Sequence, residues 1–479
     1  MIINGKEIKI DRSKVRVSEM DKAYCELVNE ILKNGIKTEN RTGIDTLSIA
    51  GWNYKFNVGR EFPIAETKDV KVRNCTSEIQ WIHTVQDNHP SWLRERGNNT
   101  WNLWEVDEDG IYRIYEQGDN AIDDPEKEVP LMEQVRNPIT GNVETIPFLD
   151  KYGKQIMVKS KDVMDKKSNA RTIKQAIWFG KEYAHTIGEA YGFINNLYKK
   201  PQCVEWTLKN NPTDRRMNIN LWQDAHIPKA VLPSCVWSSE YKVTPDGKLH
   251  SYVHQRSADV PLGLPFNITQ YAILLSMFAK SCGYDVGTMS WSIMDAHIYV
   301  NQLDGIKKQL KRYKTMLKQI KIIQTNSDEE VESYYNDLNE YYNNMNAYVY
   351  TYIGEYIKGK SEYIKNGVQL TVDDLPMSKR LNILKSLNLR SLAKDYEETF
   401  EEKVCFEHLV TRDNPVLELA SHDSIFEYST DFVDAKNPYL KENPIGNKDI
   451  KLKNYTPTPF IIQPKKHLQL DVFFYTKIF

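Results

Sequence analysis

A cysteine and an arginine are the residues of this sequence with the clearest capacity for covalent chemistry. Cys235 ends the segment PSC, and Arg256 follows within the segment QRSAD (255–259). A thiol attacks an electrophile only as the thiolate, and a neighbouring guanidinium lowers the thiol pKa from its usual value of about 8.5. If the fold brings the two side chains together, Cys235 is predicted to act as a nucleophile.

The other five cysteines show no pairing pattern. None lies in a CxxC motif, and they are scattered along a chain of 479 residues. Scattered single cysteines predict reduced thiols, not disulfides or a zinc site, and the ordinary role of each is that of a small buried hydrophobic residue. We therefore expect no metal centre.

The elements that must position Cys235 and Arg256 follow from hydrophobic periodicity. The segment PSC is predicted to end an apolar strand, and YVHQRSAD is predicted to form a further strand. A loop rich in Gly and Pro then leads into an apolar helix over about 267–280, and MSWSIMDAHIY is predicted to be a strand. These elements place the nucleophile on a sheet flanked by a buried helix.

The two ends of the chain carry further elements. Near the N-terminus the pattern predicts a helix over 19–33, a strand over 46–58 and a helix over about 75–86. The tail segments SIFEYSTDFVDAKNPYL and KDIKLKNYTPTPFI are interpreted as strands with polar breaks. The mixture of strands and helices predicts the α/β fold class.

Two stretches differ in character from the rest and are interpreted as insertions. Residues 111–180 combine strand-like fragments with mixed charge, whereas residues 305–404 are rich in Lys, Glu, Tyr and Asn, with tyrosines at helical intervals. The second insertion is predicted to be a helical hairpin or small bundle. The catalytic core then has three parts, residues 1–110, 181–304 and 405–479, the last of which includes a C-terminal extension.

The composition limits the classes of partner. Lys and Arg number 63 and Asp and Glu number 65, so a net charge of −2 gives the chain no overall attraction for nucleic acid or an anionic membrane. Tyrosine with lysine in the second insertion suits single-stranded nucleic acid, but the acidic residues between them oppose such binding. No apolar stretch approaches the roughly 18 residues of a membrane span, and the N-terminus lacks a leader pattern. We expect a cytoplasmic protein that binds neither membrane nor nucleic acid.

Several blocks of the sequence resemble the thymidylate synthases in order and spacing. They include NRTGIDTLSIAG, FPIAETKDVKVRNCTSEIQWI, NTWNLW, IGEAYG, NPTDRRMNINLW and PSCVW, followed by HQRSADVPLGLPFNI and DAHIYVNQ. The resemblance implies a thymidylate synthase-like α/β fold, with a large mixed, mostly antiparallel sheet that helices cover on one face. The other face would pack against its twin in a homodimer. Deoxyuridylate (dUMP) would be the substrate and 5,10-methylenetetrahydrofolate the cofactor.

The resemblance also assigns residues to the phosphate of the nucleotide. Forked guanidinium groups suit a phosphate dianion. The implied phosphate ligands are Arg41, Arg256 and Ser257, with Arg215 and Arg216 of the partner subunit. Taken without the surrounding blocks, the adjacent pair of arginines is more typical of a solvated surface.

Other residues are assigned to the base and the ribose. Gln255 is placed among the substrate-binding residues, and Asn267 would face the pyrimidine edge, accepting from N3–H and donating to O4. The related deoxycytidylate hydroxymethylases carry an acid at that position, so the amide favours uracil, although an Asn there is also a common helix cap. His297 and Tyr299, which lie on one face of a strand, would bind the ribose 3′-hydroxyl.

The remaining assignments concern catalysis and folate. Glu78 would relay protons to the base through ordered water, and Tyr191 would lie near the nucleophile. The implied catalytic residues are Cys235, Glu78, Tyr191, Arg256, Asp259 and Asn267. The implied folate-binding residues are Glu78, Trp101, Asp259, Leu262, Gly263 and Phe266.

Three departures from the family pattern bear on the product. Val236 stands where the synthases carry His, Met294 replaces the Gly before DAH, and the chain continues past NYTPTPFI to YTKIF. Hydride transfer in a closed site gives thymidylate, whereas capture of water gives 5-hydroxymethyl-dUMP, a precursor of a modified DNA base. Because each departure is expected to alter water in the site, the sequence favours a dUMP hydroxymethylase over a thymidylate synthase. A non-catalytic relative that binds nucleotide or RNA is a third interpretation, which retention of Cys235 and Glu78 opposes.

Overall fold

A computed structural model describes residues 1–39, 44–115, 124–160, 172–433 and 439–457. The helices of these ranges are α1 (Glu19–Asn34), α2 (Val72–Gln80), α3 (Pro90–Glu95), α4 (Gly192–Tyr198), α5 (Lys200–Asn210), α6 (Gly263–Cys282), α7 (Leu303–Thr325), α8 (Asp328–Ile357), α9 (Met377–Ser386), α10 (Arg390–Thr411) and α11 (Tyr439–Glu442). The strands are β1 (Ile2–Ile3), β2 (Lys6–Glu7), β3 (Ile36–Thr38), β4 (Thr46–Phe56), β5 (Ile111–Tyr115), β6 (Glu128–Arg136), β7 (Val143–Pro147), β8 (Met157–Lys159), β9 (Ile173–Trp178), β10 (Asn218–Asn220), β11 (Val236–Val243), β12 (Lys248–Asp259), β13 (Asp285–Tyr299), β14 (Ile364–Lys365), β15 (Val368–Gln369), β16 (Val416–Leu419) and β17 (Ile450–Lys453).

A six-stranded sheet forms the centre of the fold. Its order is β10-β11-β12-β13-β4-β3, and its neighbouring strands are antiparallel except for β12 and β13, which are parallel. A parallel pair needs a crossover connection, and α6 supplies it because it lies between these two strands in the chain. The predicted α/β class with a mixed, mostly antiparallel sheet is confirmed.

Helix α6 is apolar over most of its surface and lies in the middle of the core. Ile268, Leu275 and Phe278 are almost fully buried, as expected for a helix that is hydrophobic on most of its faces. The helix begins at Gly263, earlier than the predicted start at residue 267. The reason is that Pro265 stands in the first turn, where a missing N–H breaks no intrahelical hydrogen bond.

The predicted N-terminal helix and strand are confirmed as α1 and β4. The side chain of Ser18 caps α1 by accepting a hydrogen bond from the backbone N–H of Asp21. By contrast, β11 begins at Val236, so Cys235 precedes a strand and does not end one. Pro233 lacks the N–H that a ladder requires. The candidate nucleophile therefore lies in the loop that enters the sheet.

The C-terminal tail forms only part of the predicted set of strands. Strand β17 pairs with β16, but Ile425–Glu427 is a 3₁₀ turn. The carboxylate of Glu205 accepts hydrogen bonds from the Ile425 N–H at 2.7 Å and the Ser424 hydroxyl at 2.8 Å. These donors therefore have hydrogen-bond partners without pairing to another strand. Residues 434–438 and 458–479, including the extension YTKIF, lie outside the described residues.

The first predicted insertion contains a sheet of its own. Its strands run in the order β5-β9-β6-β7, and β8 pairs with β6. Leu131 and Ile173 belong to a small core that is separate from the main one. The strand-like character of residues 111–180 in the sequence agrees with this sheet.

The second predicted insertion consists of α7 to α10, which agrees with the predicted bundle. Val349 and Tyr396 belong to a local core that α8, α9 and α10 share. The start of α7 is different, because Ile306, Leu310 and Tyr313 pack into the main core. The main hydrophobic core therefore includes residues beyond position 304. No helix in the described ranges has the length and apolar character needed to cross a bilayer.

Candidate active site

Cys235 and Arg256 meet where β11 begins and β12 approaches its end. Because these strands are antiparallel neighbours, the loop before β11 lies beside Arg256. Arg256 Nη2 is 3.6 Å from Cys235 Sγ. The same guanidinium donates to the carbonyl oxygens of Pro233 at 2.9 Å and Ser234 at 3.2 Å, so the loop fixes its direction. A cation held in this way is placed to stabilise negative charge on the sulfur.

Tyr191 holds the backbone of the candidate nucleophile. Its hydroxyl accepts a hydrogen bond from the Cys235 N–H at 3.0 Å, and its buried ring packs edge-on against Trp101 at 5.1 Å between centroids. Tyr191 has a φ of 51°, a strained value for a residue with a side chain. The next residue explains why the chain must pass so tightly, since a Cβ at Gly192 would lie 1.9 Å from the Asp87 carbonyl oxygen. Burial and the nearby Cys235 raise the phenol pKa well above its usual value, which keeps the hydroxyl neutral.

Glu78 has the properties of a general base. It lies on α2, which packs against α6. Although the side chain is partly exposed, burial raises its pKa to about 7, against the smaller opposing effects of the nearby Trp101 and Gln270 side chains. A pKa near neutrality suits a group that must accept and release a proton at working pH. Helix α2 runs on into a π-helical turn at Trp81–Val85, a feature often found at functional sites.

A chain of hydrogen bonds connects the sheet to α6. Trp291 Nε1 donates to Gln255 Oε1 at 3.2 Å, and Gln255 Nε2 donates to Asn267 Oδ1 at 3.1 Å. Asn267 Nδ2 donates to Gln270 Oε1 at 3.1 Å. Asn267 lies inside α6, whose N-cap is residue 262, so it does not cap the helix. Asn267 and Gln270 are one turn apart and form a polar edge on an otherwise apolar helix.

The residues assigned to phosphate and ribose lie side by side on β12 and β13. Ser257 Oγ donates to Asp295 Oδ2 at 3.0 Å, and it lies 3.5 Å from His297 Nδ1. His297 Nδ1 is also 3.2 Å from Asp295 Oδ2. His297 and Tyr299 meet edge-on with ring centroids 5.3 Å apart, which places both on one face of β13, as their spacing predicts.

Asp259 is anchored at the start of the turn into α6. Its Oδ1 accepts from the Leu262 N–H at 3.1 Å, and both oxygens accept from Gln302 Nε2, at 3.2 and 3.1 Å. Burial raises the Asp259 pKa above its usual value. Nearby, Lys68 Nζ donates to the Pro261 carbonyl, and burial lowers the Lys68 pKa to about 8.

Trp101 and Phe266, also assigned to folate, both pack in the main core. Trp101 is buried between Tyr191 and Trp81. A Cβ at Gly263 would meet Asn267 Oδ1 at 3.6 Å, which is an ordinary contact. The protein itself therefore leaves room for a side chain at Gly263.

The structure places the arginines assigned to the phosphate in different parts of the protein. Arg256 is in place beside Cys235. Arg215 and Arg216 are exposed in the turn before β10, where Arg216 pairs with Asp214 at 2.8 Å. Arg41 lies outside the described residues. Within one chain, the phosphate ligands are therefore only partly assembled.

Three residues of this region were not predicted from the sequence. Gln270 carries a signal, since it is a polar residue within an apolar helix, one turn after Asn267. Trp291 and Lys68 have no such sequence signal, because a tryptophan in a strand and a lysine after a loop are common in proteins that have no site there. In the described ranges no group of three His, Cys, Asp or Glu side chains is arranged to hold a metal ion.

Much of the sequence is similar to known proteins. A family model described as Thymidylate synthase matches residues 22–350. The thymidylate synthase of Clostridium beijerinckii is 31% identical over 296 residues, which is 62% of this chain and 83% of the relative. That of Listeria innocua is 30% identical over 298 residues, 61% of this chain and 86% of the relative. The solved structure of thermostable thymidylate synthase A from Bacillus subtilis is 25% identical and has a TM-score of 0.42, covering 61% of this chain and 84% of that one. Because the family model spans more than half of the sequence, the chain belongs to the thymidylate synthase family.

Proposed function

We propose that this protein transfers a one-carbon unit to C5 of dUMP through a covalent bond between Cys235 and C6 of the uracil ring. The observation that carries the proposal is the 3.6 Å approach of the Arg256 guanidinium to Cys235 Sγ. The ring addition needs a sulfur nucleophile, and the guanidinium is fixed where it can donate a hydrogen bond to this sulfur. The Tyr191 hydroxyl holds the same loop in position.

The residues around Cys235 suit each stage of such an addition. When sulfur bonds to C6, the electron pair of the C5–C6 double bond moves toward C5 and O4, which makes C5 nucleophilic. Asn267 Nδ2 has a second N–H that can donate to O4, and Oδ1 has a second lone pair that can accept from N3–H. Glu78, with a pKa of about 7, is suited to take the C5 proton later in the reaction.

Nucleotide binding is proposed to use the neighbouring ends of β12 and β13. Arg256 and Ser257 would hold the phosphate, with Arg41 of the same chain. His297 and Tyr299 would contact the ribose 3′-hydroxyl. The Asp295 carboxylate already occupies His297 Nδ1, which leaves Nε2 for the sugar.

The turn into α6 fits a folate. Asp259 is an anchored carboxyl that can accept hydrogen bonds from pterin N–H groups, Trp101 supplies an aromatic wall, and Lys68 supplies a cation for a carboxylate. Gly263 leaves open space beside them. When bound, 5,10-methylenetetrahydrofolate supplies the one-carbon unit. The residues of the protein hold it over the pyrimidine and exclude water.

Two of the three departures from the family pattern, Val236 and Met294, give little support to a hydroxymethyl product. Val236 is only 3% exposed and packs in the main core, so it offers no polar atom to hold water beside the ring. Met294 is 67% exposed on the outer face of the sheet, opposite the buried Ile293, and therefore points away from the core. The third departure, the C-terminal extension, lies outside the described residues. We therefore favour reductive methylation to thymidylate, the activity that the names of the two bacterial relatives carry.

Product analysis tests this choice. Incubation with dUMP and 5,10-methylenetetrahydrofolate is expected to give thymidylate and an equal amount of dihydrofolate, which absorbance detects. The control omits dUMP. A nucleotide product heavier than thymidylate by one oxygen, formed without dihydrofolate, would contradict methylation and support the hydroxymethylase instead. No nucleotide product at all would contradict the whole proposal.

We also propose that the active protein is a homodimer formed through the outer face of the central sheet. Helices α1 and α6 pack against the inner face. The outer face carries Met294 and Tyr252, which are 67% and 39% exposed, and a cluster in which His254 stacks near Tyr252 and Trp237 at 4.4 and 5.5 Å. An exposed sheet face with clustered aromatic side chains is typical of a subunit interface. Arg215 and Arg216 of the partner subunit would then complete the phosphate site.

Mixing two inactive variants tests the shared site. Cys235→Ser and the double variant Arg215→Ala/Arg216→Ala are each expected to be nearly inactive. In a heterodimer of the two, one site has both Cys235 and the intact arginines, so random pairing should restore about a quarter of the wild-type rate. The measurement is thymidylate formation after subunit exchange.

A matched control uses two changes that belong to the same subunit. Cys235→Ser mixed with Glu78→Gln leaves every site of the heterodimer broken, so no recovery is expected. Recovery in the control, or none with the arginine variant although heterodimers form, would contradict the sharing of arginines between subunits.

A further inference from the structure

The loop between β4 and α2 carries Lys68, the cation that the proposed function assigns to a carboxylate of folate. Lys68 is only 9% exposed, and its ammonium group donates to the carbonyl oxygen of Pro261 in the turn into α6. An ammonium group has three N–H donors, so this contact leaves donors for a carboxylate of a ligand. The position of the cation therefore depends on how firmly the loop holds the backbone of Lys68.

The residue before Lys68 is held by an arginine of the second insertion. Arg312 on α7 donates from Nη1 to the carbonyl oxygen of Thr67 at 2.7 Å, and both residues are buried. The Thr67 carbonyl and the Lys68 N–H belong to one planar peptide unit. Because this plane cannot turn without breaking the hydrogen bond, Arg312 constrains the backbone from which the Lys68 side chain extends.

Other contacts hold the rest of Thr67. Asp21 on α1 accepts from the Thr67 hydroxyl at 2.6 Å and from its N–H at 3.1 Å, and Gln309 Nε2 on α7 donates to the same hydroxyl at 3.1 Å. These hydrogen bonds fix the side chain and the N–H of Thr67, whereas the contact with Arg312 fixes its carbonyl. Loss of the Arg312 contact should therefore free the peptide that leads to Lys68 without releasing the whole loop.

The last helix of the second insertion directs Arg312. Glu401 Oε1 on α10 accepts from Arg312 Nη2 at 2.8 Å, and the two side chains are 12% and 3% exposed. A guanidinium group is planar and rigid, so an acceptor that fixes one nitrogen also directs the other. Glu401 therefore determines where Nη1 of Arg312 points, and Nη1 is the atom that reaches Thr67.

Helix α7 also contacts the turn into α6 directly. Its N-cap, Gln302, donates to both carboxylate oxygens of Asp259, at 3.2 and 3.1 Å. Gln302 and Arg312 are ten positions apart, which corresponds to about 15 Å of helix. One rigid helix thus contacts this turn at Asp259 and supports the loop that contacts it at Pro261. The second insertion therefore meets the proposed folate site through its first helix.

We propose that Arg312 is a positioning residue for folate binding, which Glu401 directs and which acts through the peptide between Thr67 and Lys68. This inference rests on the proposed function, in which folate lies at the turn into α6 and Lys68 contacts its carboxylate. It extends the folate site to the second insertion. The proposed contacts to the nucleotide come from other elements, so loss of the Arg312 contact should weaken the binding of folate and not that of dUMP.

Two carboxylates of α10 provide a matched pair of variants. Glu401→Leu removes the acceptor that directs Arg312. Glu398→Leu is the control, because Glu398 lies on the same helix and pairs at the surface with Lys311, the residue before Arg312. Both changes remove one ion pair between α7 and α10, but only the first pair leads to Thr67. Glu401→Gln is the conservative variant, because its amide oxygen can still accept from Arg312.

The expected result is a separation of the two ligands. Glu401→Leu should raise KM for 5,10-methylenetetrahydrofolate about tenfold, whereas kcat at saturating folate and the dissociation constant for dUMP should change little. Glu398→Leu and Glu401→Gln should keep the wild-type KM. Initial rates at saturating dUMP and equilibrium titration with dUMP measure these quantities. A role in stability alone would lower Tm without separating folate from dUMP.

A second variant tests the same contact without leaving half of a buried ion pair. Arg312→Met/Glu401→Leu removes both charges, which proteins tolerate better than the loss of one. The same rise in KM for folate is expected, because the Thr67 carbonyl again lacks the donor from α7. A wild-type KM in this folded variant, or an equal rise in Glu398→Leu, would overturn the role of Arg312. Failure of the wild-type protein to turn over dUMP with this folate would overturn the proposed function instead.

Discussion

Cys235→Ser is expected to lower kcat by about 10⁴-fold or more. A serine hydroxyl stays protonated at neutral pH even beside Arg256, so it adds to a pyrimidine far more slowly than a thiolate does. The dissociation constant for dUMP should change little, because the proposed contacts to phosphate, ribose and base come from other side chains. Initial rates of thymidylate formation and equilibrium titration with dUMP measure the two effects separately.

The same substitution should remove a covalent adduct that the wild-type protein forms. With 5-fluoro-dUMP and 5,10-methylenetetrahydrofolate, the reaction should stop after C–C bond formation, because fluorine cannot leave C5 as a cation in the way that a proton does. Mass spectrometry of the digested protein is expected to find the nucleotide on the peptide that contains Cys235.

Cys203→Ser is the matched control for this adduct. Cys203 lies on α5 and its thiol is exposed, so it is the cysteine most accessible to non-specific reaction. This variant should keep both the rate and the adduct of the wild type. An adduct on any other cysteine, or a Cys235→Ser protein with the wild-type rate, would contradict the assigned nucleophile.

Local patterns were sufficient to predict many of the elements. Helix α1 and strand β4 follow from periods of 3.6 and 2, and the tyrosine spacing of the second insertion predicts its helices. The approach of Arg256 to Cys235 could also be expected, since the two lie on segments that become neighbouring strands. For these helices and β4 the signal lies within a few residues along the chain.

The predictions failed where a side chain elsewhere in the sequence decides the local structure. The segment SIFEY has the composition of a strand, but Glu205 satisfies its N–H and hydroxyl groups in a turn. Similarly, Pro233 stops the strand that an apolar run before Cys235 would otherwise form. Neither outcome follows from propensity, because both depend on hydrogen bonds that are available or missing.

The hydrogen bonds that join Trp291, Gln255 and Asn267 could not be predicted from the sequence, for a different reason. Trp291 and Gln255 are 36 residues apart and meet only because β12 and β13 are parallel neighbours in one particular register. A shift of one residue would turn Gln255 away from Asn267 to the other face of the sheet. The resemblance to the family predicts Gln255 and Asn267 as site residues, whereas the direction of their hydrogen bonds follows only from the three-dimensional structure.

Glu78→Gln is expected to lower kcat by about 10²-fold to 10⁴-fold, the usual contribution of a general base. The amide keeps the shape of the side chain but cannot take the C5 proton. In the wild type, kcat/KM should rise with pH through about 7, because burial raises the Glu78 pKa to that value and only the ionised form is a base. The variant should lack this rise. Glu95→Gln, which alters an exposed carboxylate on α3, should leave the profile unchanged.

Glu78→Gln should also make the folded protein more stable than the wild type above pH 7. Glu78 has a pKa of about 7 in the folded protein and an ordinary value of 4.5, so the folded state binds the proton more tightly. The free energy of unfolding of the wild type should therefore fall as pH rises from 4.5 to about 7, and stay lower above that. Gln carries no charge at any of these values, so Glu78→Gln should resist denaturant better than the wild type above pH 7, and this advantage should vanish at low pH. Equal stability of the two proteins above pH 7 would mean that Glu78 does not lie in a desolvated site. Its pKa would then not be raised, which would contradict its proposed role as a general base.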